Sequence, residues 1–148
     1  GEKFTKVFAY GNTLATVGSV FSGNSLTSAI MKSSSGCTTS LTSNFGSVTP
    51  HHHKLCVYGT EGTFEQTHTN ASYFFSRDPT VEPEKVDSPY PGTYKGDLLY
   101  DFVDSIIGDK QPLIKAQEMV DIMSVALAID ESAQKKTPQP VHYHKLTG

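Results

Sequence analysis

The chain has 148 residues, 36% of them hydrophobic and 18% charged, and carries a net charge of −3 at pH 7. That length suits one domain and is enough to close an apolar core without disulfide or metal support. The acidic balance, with an isoelectric point near 6.0, offers no basic face for nucleic acid, and a mean hydropathy of −0.31 without a long apolar run excludes a membrane-spanning helix.

Gly1-Glu2-Lys3 is no signal peptide. Cys37 and Cys56 are too few for a secreted disulfide framework and lack the spacing of zinc or redox sites. A cytoplasmic protein with free thiols, no nucleic-acid partner and no membrane contact is expected. The start at Gly1, without methionine and directly ahead of a strand pattern, is expected of a piece of a longer protein.

Taken in order, Phe4, Lys6, Phe8 and Tyr10 share one face of an extended segment, with Thr5, Val7 and Ala9 on the other, before a Gly11-Asn12 turn. Further strands are expected over 25–31, 37–44, 52–58, 63–69 and 72–76. Hydroxyl residues such as Thr38, Ser40 and Thr42 fill one face, too polar for a core and too uncharged for a fully solvated surface. A sheet-mediated subunit contact and an ordinary solvated face both suit it. Between Leu55 and Glu65, two strand patterns meet at Gly59-Thr60-Glu61-Gly62. A phosphate loop would need a following Lys-Ser/Thr and a helix, whereas Thr63-Phe64-Glu65 continues as strand. The glycines are expected to supply positive φ in a hairpin turn.

Residues 77–94 hold four prolines and few apolar side chains, as a functional loop or a surface crossing would. Leu98, Leu99, Phe102, Val103, Ile106 and Ile107 then recur at helical spacing until Gly108. A second helix is expected over 116–134, with Met119, Val120, Met123, Ala126 and Leu127 on its stripe and Pro138 and Pro140 preventing its continuation. Asp130, on the continuation of that stripe, is read as half-exposed at the core boundary. A short strand over 141–144 is expected to close the chain.

The hairpin, followed by Asp101-Phe102-Val103-Asp104-Ser105-Ile106-Ile107-Gly108 and then Ala126-Leu127-Ala128-Ile129-Asp130-Glu131-Ser132-Ala133, resembles the C-terminal domain of the Gfo/Idh/MocA oxidoreductases. The match runs from about Phe4 to Val141. It implies one α+β domain over 1–148, an open and predominantly antiparallel sheet with helices packed on one face, of the glyceraldehyde-3-phosphate-dehydrogenase C-terminal type. It also implies a Rossmann domain, absent from this chain, that holds NAD or NADP in the longer parent, so that this chain binds no cofactor itself. The substrate class implied is a sugar, cyclitol or related polyhydroxy compound lying between the two domains. A homo-oligomer through the open sheet face is implied as well. The family's Glu-Lys-Pro signature and Asp-x-x-x-His motif are missing, as is a Gly-x-Gly-x-x-Gly after a strand, so no residue here is assigned a catalytic or cofactor-binding role.

The candidate substrate-binding residues are His51, His52, His53, Tyr90, Tyr94 and Lys95. Imidazoles at alternate positions, His51 and His53, share a strand face, but two ligands make no metal site and nothing in the sequence brings His68, His142 or His144 to them. A neutral imidazole can both donate and accept a hydrogen bond, which suits a hydroxyl-rich substrate; a surface or interface position suits these residues too. Tyr90, Tyr94 and Lys95 end the proline-rich segment and either close over a substrate or anchor the loop. The rival to the oxidoreductase reading is a stand-alone binding or oligomerisation module without catalysis.

Overall fold

The structure, a computed structural model, describes residues 2–87 and 96–146. In chain order the strands are β1 (Phe4–Asn12), β2 (Leu26–Ser33), β3 (Thr38–Asn44), β4 (Leu55–Tyr58), β5 (Thr63–Gln66), β6 (Ala71–Phe74), β7 (Glu84–Lys85) and β8 (Gln139–Pro140). The helices are α1 (Asp97–Ile107) and α2 (Ala116–Lys135). The fold is α+β, with two antiparallel four-stranded sheets ordered β3-β2-β1-β8 and β4-β5-β6-β7. The chain divides into two compact units, Gly1–Val48 with Ser105–Gly148, and Thr49–Asp104.

The first unit owns the core. Strand alternation turns Val7 and Ala9 of β1 inward, in register with Met31 and Ala29 of β2, while Lys6, Phe8 and Tyr10 face the other way. Ala128 and Ile129 of α2 complete the buried cluster. Burying each of the larger side chains removes it from water at a gain of roughly 1.5–3 kcal/mol.

The buried stripe of α2 is Ser124, Ala128, Ile129 and Ser132, not the predicted Met119, Met123 and Leu127, which stay exposed. Small side chains let the helix axis approach the sheet, and the long ones are displaced to the rim. Ser132 is fully buried and does a specific job. Its hydroxyl accepts the Ala9 N–H at 3.0 Å and donates to the Thr137 carbonyl at 2.8 Å. β8 pairs only with Lys6 and Val7, so the Ala9 amide lies past the end of that ladder and would otherwise be orphaned. The expected final strand falls earlier, at Gln139–Pro140, with Val141 donating to Thr5 just beyond it.

α2 starts where Glu118 accepts the Lys115 backbone N–H at 2.8 Å, and stops at Lys136, whose φ of 56° is left-handed. The chain ends are fastened to this frame. Lys3 pairs with Asp121 at 2.7 Å and lies 4.4 Å from the Tyr143 ring centre, while Tyr143 donates to the Phe4 carbonyl at 3.0 Å.

In the second unit the hairpin forms as read, with the Gly59 N–H donating to the Gly62 carbonyl at 2.9 Å. Neither glycine takes a positive φ, however. Space is what they supply: a Cβ at Gly59 would lie 3.0 Å from the Gly62 carbonyl oxygen, and one at Gly62 would lie 3.0 Å from the Phe75 ring. The proline-rich segment contributes β7, a two-residue strand against β6. Phe64, Tyr73 and Phe75 make an aromatic row, with ring centres 5.0 and 6.0 Å apart. None of the described residues of this unit is fully buried. α1 occupies the span predicted for it, and its apolar residues are 42–79% exposed.

Candidate functional site

His51, His52 and His53 lie in the connection ahead of β4, which begins at Leu55 and not at the expected position 52. The rings of His51 and His53 meet edge to face, 5.1 Å between centres, although no strand forms there to put them on one face. His52 turns instead to His68, 5.4 Å away. The Nδ1–H of His52 donates to the Pro50 carbonyl at 2.9 Å, which leaves Nε2 as the acceptor of the neutral ring. Gln66 of β5 donates to the His53 carbonyl at 3.3 Å and steadies the segment. Two pairs of imidazoles are thus formed, one within 51–53 and one between His52 and His68 of the β5–β6 turn. They can donate to and accept from hydroxyl groups. Among the described residues, no group of three or more His, Cys, Asp or Glu side chains is arranged to hold a metal ion. Tyr90, Tyr94 and Lys95 lie outside the described residues.

Cys37 is exposed and Cys56 half-buried, and neither is in a disulfide. Cys56, Tyr58 and Glu65 share one face of the β4–β5 pair, since Cys56 is opposite Glu65 and Tyr58 two residues on. The negative charge of the Cys56 sulfur and a hydrogen bond with it, followed by the charge of Glu65, push the Tyr58 phenol above its ordinary range.

The sequence reading missed a hollow of about 180 Å³ in the first unit, lined by Ser124, Leu127, Glu131, Pro140, His142 and His144. Beside it along α2 lies an apolar one of about 330 Å³ between Met119, Met123, Leu127 and His144. Gln117 holds the segment bearing the two histidines, donating to the His144 carbonyl at 2.8 Å and accepting the Leu146 N–H at 2.9 Å. The repeated His-x-His at 142–144 was the available signal. Glu131 spends its carboxylate on Lys135, 2.5 Å away.

No protein-family model and no curated protein sequence matches this chain. Solved structures do match in fold. An oxidoreductase domain protein from Kribbella flavida superposes with a TM-score of 0.73 and 13% identity, covering 96% of this chain and 45% of its own. An aldose-aldose oxidoreductase from Caulobacter crescentus gives 0.72 and 16% identity, over 95% and 42%. A UDP-N-acetylglucosamine 3-dehydrogenase from Acidithiobacillus ferrooxidans gives 0.72 and 14% identity, over 91% and 42%. This chain therefore has the fold of one part of larger oxidoreductases, and it spans less than half the length of each. No described helix is long and apolar enough to cross a membrane.

Proposed function

We propose that this chain is the C-terminal, substrate-cleft and subunit-interface domain of a Gfo/Idh/MocA-type oxidoreductase that uses NAD or NADP and acts on a sugar, cyclitol or related polyhydroxy compound. One observation carries the reading. Each of the three matched oxidoreductases covers more than nine-tenths of this chain while more than half of its own length lies elsewhere. Two of them are named for carbohydrate substrates, which favours a polyhydroxy compound here. The nicotinamide is held by a preceding Rossmann domain, and the chain as it stands turns over no substrate. His51, His52 and His53 supply hydrogen bonds to substrate hydroxyls, joined by Tyr90, Tyr94 and Lys95. The protein works in the cytoplasm.

Subunits associate through the outward face of the first sheet. There Phe8, Ile30 and Ser40 stand in one cross-strand row and Tyr10, Ser28 and Thr42 in the next. The hydroxyls permit close approach, and Ser28 and Thr42 already bond each other at 2.9 Å; Phe8, Tyr10 and Ile30 supply the apolar area. Two measurements test the whole reading. The open reading frame upstream of Gly1 should encode a strand, a glycine-rich turn and a helix, and a frame without them overturns the proposal. Titration of the isolated chain with NADH or NADPH should show no binding, and saturable binding would refute the division of labour.

A further inference from the structure

Beyond β8 the described chain joins no further ladder. Residues 141–146 run on as a strap, with His142, His144, Lys145 and Leu146 exposed and Val141 and Tyr143 half-buried. Isolated bonds hold it at both ends. The Val141 N–H donates to the Thr5 carbonyl at 3.1 Å and the Tyr143 hydroxyl to the Phe4 carbonyl at 3.0 Å. Towards the far end, the Gln117 side chain takes the His144 carbonyl and the Leu146 N–H. Through His142 and His144 the strap lines the hollow of about 180 Å³ whose other lining residues include Ser124, Leu127 and Glu131 of α2.

These contacts close into a ring. The Lys3 ammonium pairs with Asp121 Oδ2 at 2.7 Å, and Gln117 Nε2 donates to Asp121 Oδ1 at 2.9 Å as well as to the His144 carbonyl at 2.8 Å. Next to His144, the Tyr143 ring centre lies 4.4 Å from the same ammonium. Gln117 thereby uses both its N–H groups and its oxygen, which accepts the Leu146 N–H at 2.9 Å. Lys3 is the charged group that acts on Asp121, and it is also the cation that faces Tyr143. A single ammonium therefore supports the near end of the strap directly and the far end through Asp121 and Gln117.

We infer that residues 141–146 open and close over the hollow as one unit, with Lys3 as the latch. The inference stands apart from the oxidoreductase reading. A strap on separate bonds would fray from Leu146 inward, one contact at a time. A ring that passes through one ammonium behaves differently, because losing Lys3 removes the cation from Tyr143 and leaves Asp121 to Gln117 alone, so both ends weaken together. The segment is suited to local opening, being short, largely exposed and fastened by few bonds. Access to the hollow is then governed by a residue at the opposite end of the chain.

Amide hydrogen exchange of the 148-residue chain, followed by NMR, tests this, with the Val141 and Leu146 amides reporting the two ends of the strap. Lys3→Met keeps an apolar stem and removes the ammonium. It should speed exchange at both amides by a common factor of about threefold to tenfold, although Lys3 bonds to neither. The amides of the β1–β2 ladder should keep their rates. In the parent, about 1 M salt, which shortens the Debye length to about 3 Å, should bring the strap towards the Lys3→Met rates while adding little in that variant. Acceleration confined to one of the two amides would mean that the ends fray separately, and would overturn the inference. Unchanged rates at both, a salt response that survives Lys3→Met in full, or equal acceleration throughout the ladder would overturn it too.

Discussion

The two compact units are built from similar antiparallel sheets, yet among the described residues only the first buries any side chain completely. β1 and β2 turn Val7, Ala9, Ala29 and Met31 under α2, so one sheet face is sealed by the chain's own helix. The second unit has a hairpin, an aromatic row and four paired strands, and its described side chains stay at least partly in water. A pattern of alternating residues is enough to pair strands; a second layer is needed to dry them. The first unit therefore supplies its own second layer through α2, which the described residues of the second unit do not. The largest test of that contrast is a matched pair of truncations. Val7→Ala should cost about 2–3 kcal/mol, because a fully buried side chain leaves a cavity, whereas Val57→Ala, half exposed on β4, should cost less than about 1 kcal/mol. Urea denaturation measures both, and equal losses would erase the distinction.

Next in size is the polar seam of the first unit. Ser132→Ala removes the hydroxyl that serves both partners, leaving the Ala9 N–H buried without an acceptor, and should cost about 1–3 kcal/mol. The Ala9 amide should also lose hydrogen-exchange protection out of proportion to its neighbours. Preserved protection at Ala9 would mean that another group reaches it. A change in the opposite direction is expected at the end of the same helix, where Lys136 holds a left-handed φ that glycine adopts without strain. Lys136→Gly should stabilise by roughly 0.5–1 kcal/mol, read in the same denaturation assay.

Ser132 also shows what the sequence could and could not tell. Periods of two and of about 3.6 residues located six strands and both helices, because strand alternation and helical spacing are local properties. The face of α2 that meets the sheet was missed, since hydrophobicity ranks Met119, Met123 and Leu127 above Ser124, Ala128 and Ser132, and says nothing about how close two backbones must come. The acceptor that β1 needs lies 123 residues from Ala9, beyond any local pattern. The site follows the same rule. The alternate spacing of His51 and His53 was read as one face of a strand, whereas they meet in the connection ahead of β4, and the contact of His52 with His68 depends on how β4 and β5 pair. His142 and His144 became a candidate cleft only once Gln117 had drawn their segment along α2.

The acid side of the comparison sets long-range carboxylates against a local one. Asp121 is held below its ordinary range by hydrogen bonds from Lys3 and then Gln117, and Glu2 below its own by the Ser33 and Ser35 hydroxyls and the Ser35 N–H. Asp78, in the second unit, is lowered by the N–H and hydroxyl of Thr80, two residues along. In each case the folded value is depressed, so the contribution to stability is present above the unfolded carboxylate range, near 4, and is lost as pH falls through the folded value. Glu2 and Asp78 are exposed and Asp121 is only half-buried, so the losses are modest. Those at Glu2 and Asp121 release chain ends, whereas that at Asp78 loosens only a turn. Asp121→Asn should flatten the fall in denaturation midpoint between neutral and acid pH more than Asp78→Asn does. A steeper effect from Asp78→Asn would reverse the assignment.

The smallest expected effect lies on the alkaline side of the second unit. Tyr58 is raised by the charge of the Cys56 sulfur and its hydrogen bond, with Glu65 adding to them across the hairpin. A raised phenol works in the opposite sense from a depressed carboxylate: its contribution is whole below the unfolded value, near 10, and disappears as pH climbs through the higher folded one. Tyr58 is exposed, so almost nothing should register in global stability, and the measurement must be of the phenol itself. Subtracting the phenolate absorbance of Tyr58→Phe from that of the parent isolates its titration. Cys56→Ala should then return that curve towards lower pH, with Glu65→Gln moving it less. If Glu65→Gln moves it more, the carboxylate across the hairpin governs the phenol, and the neighbour on the same strand does not.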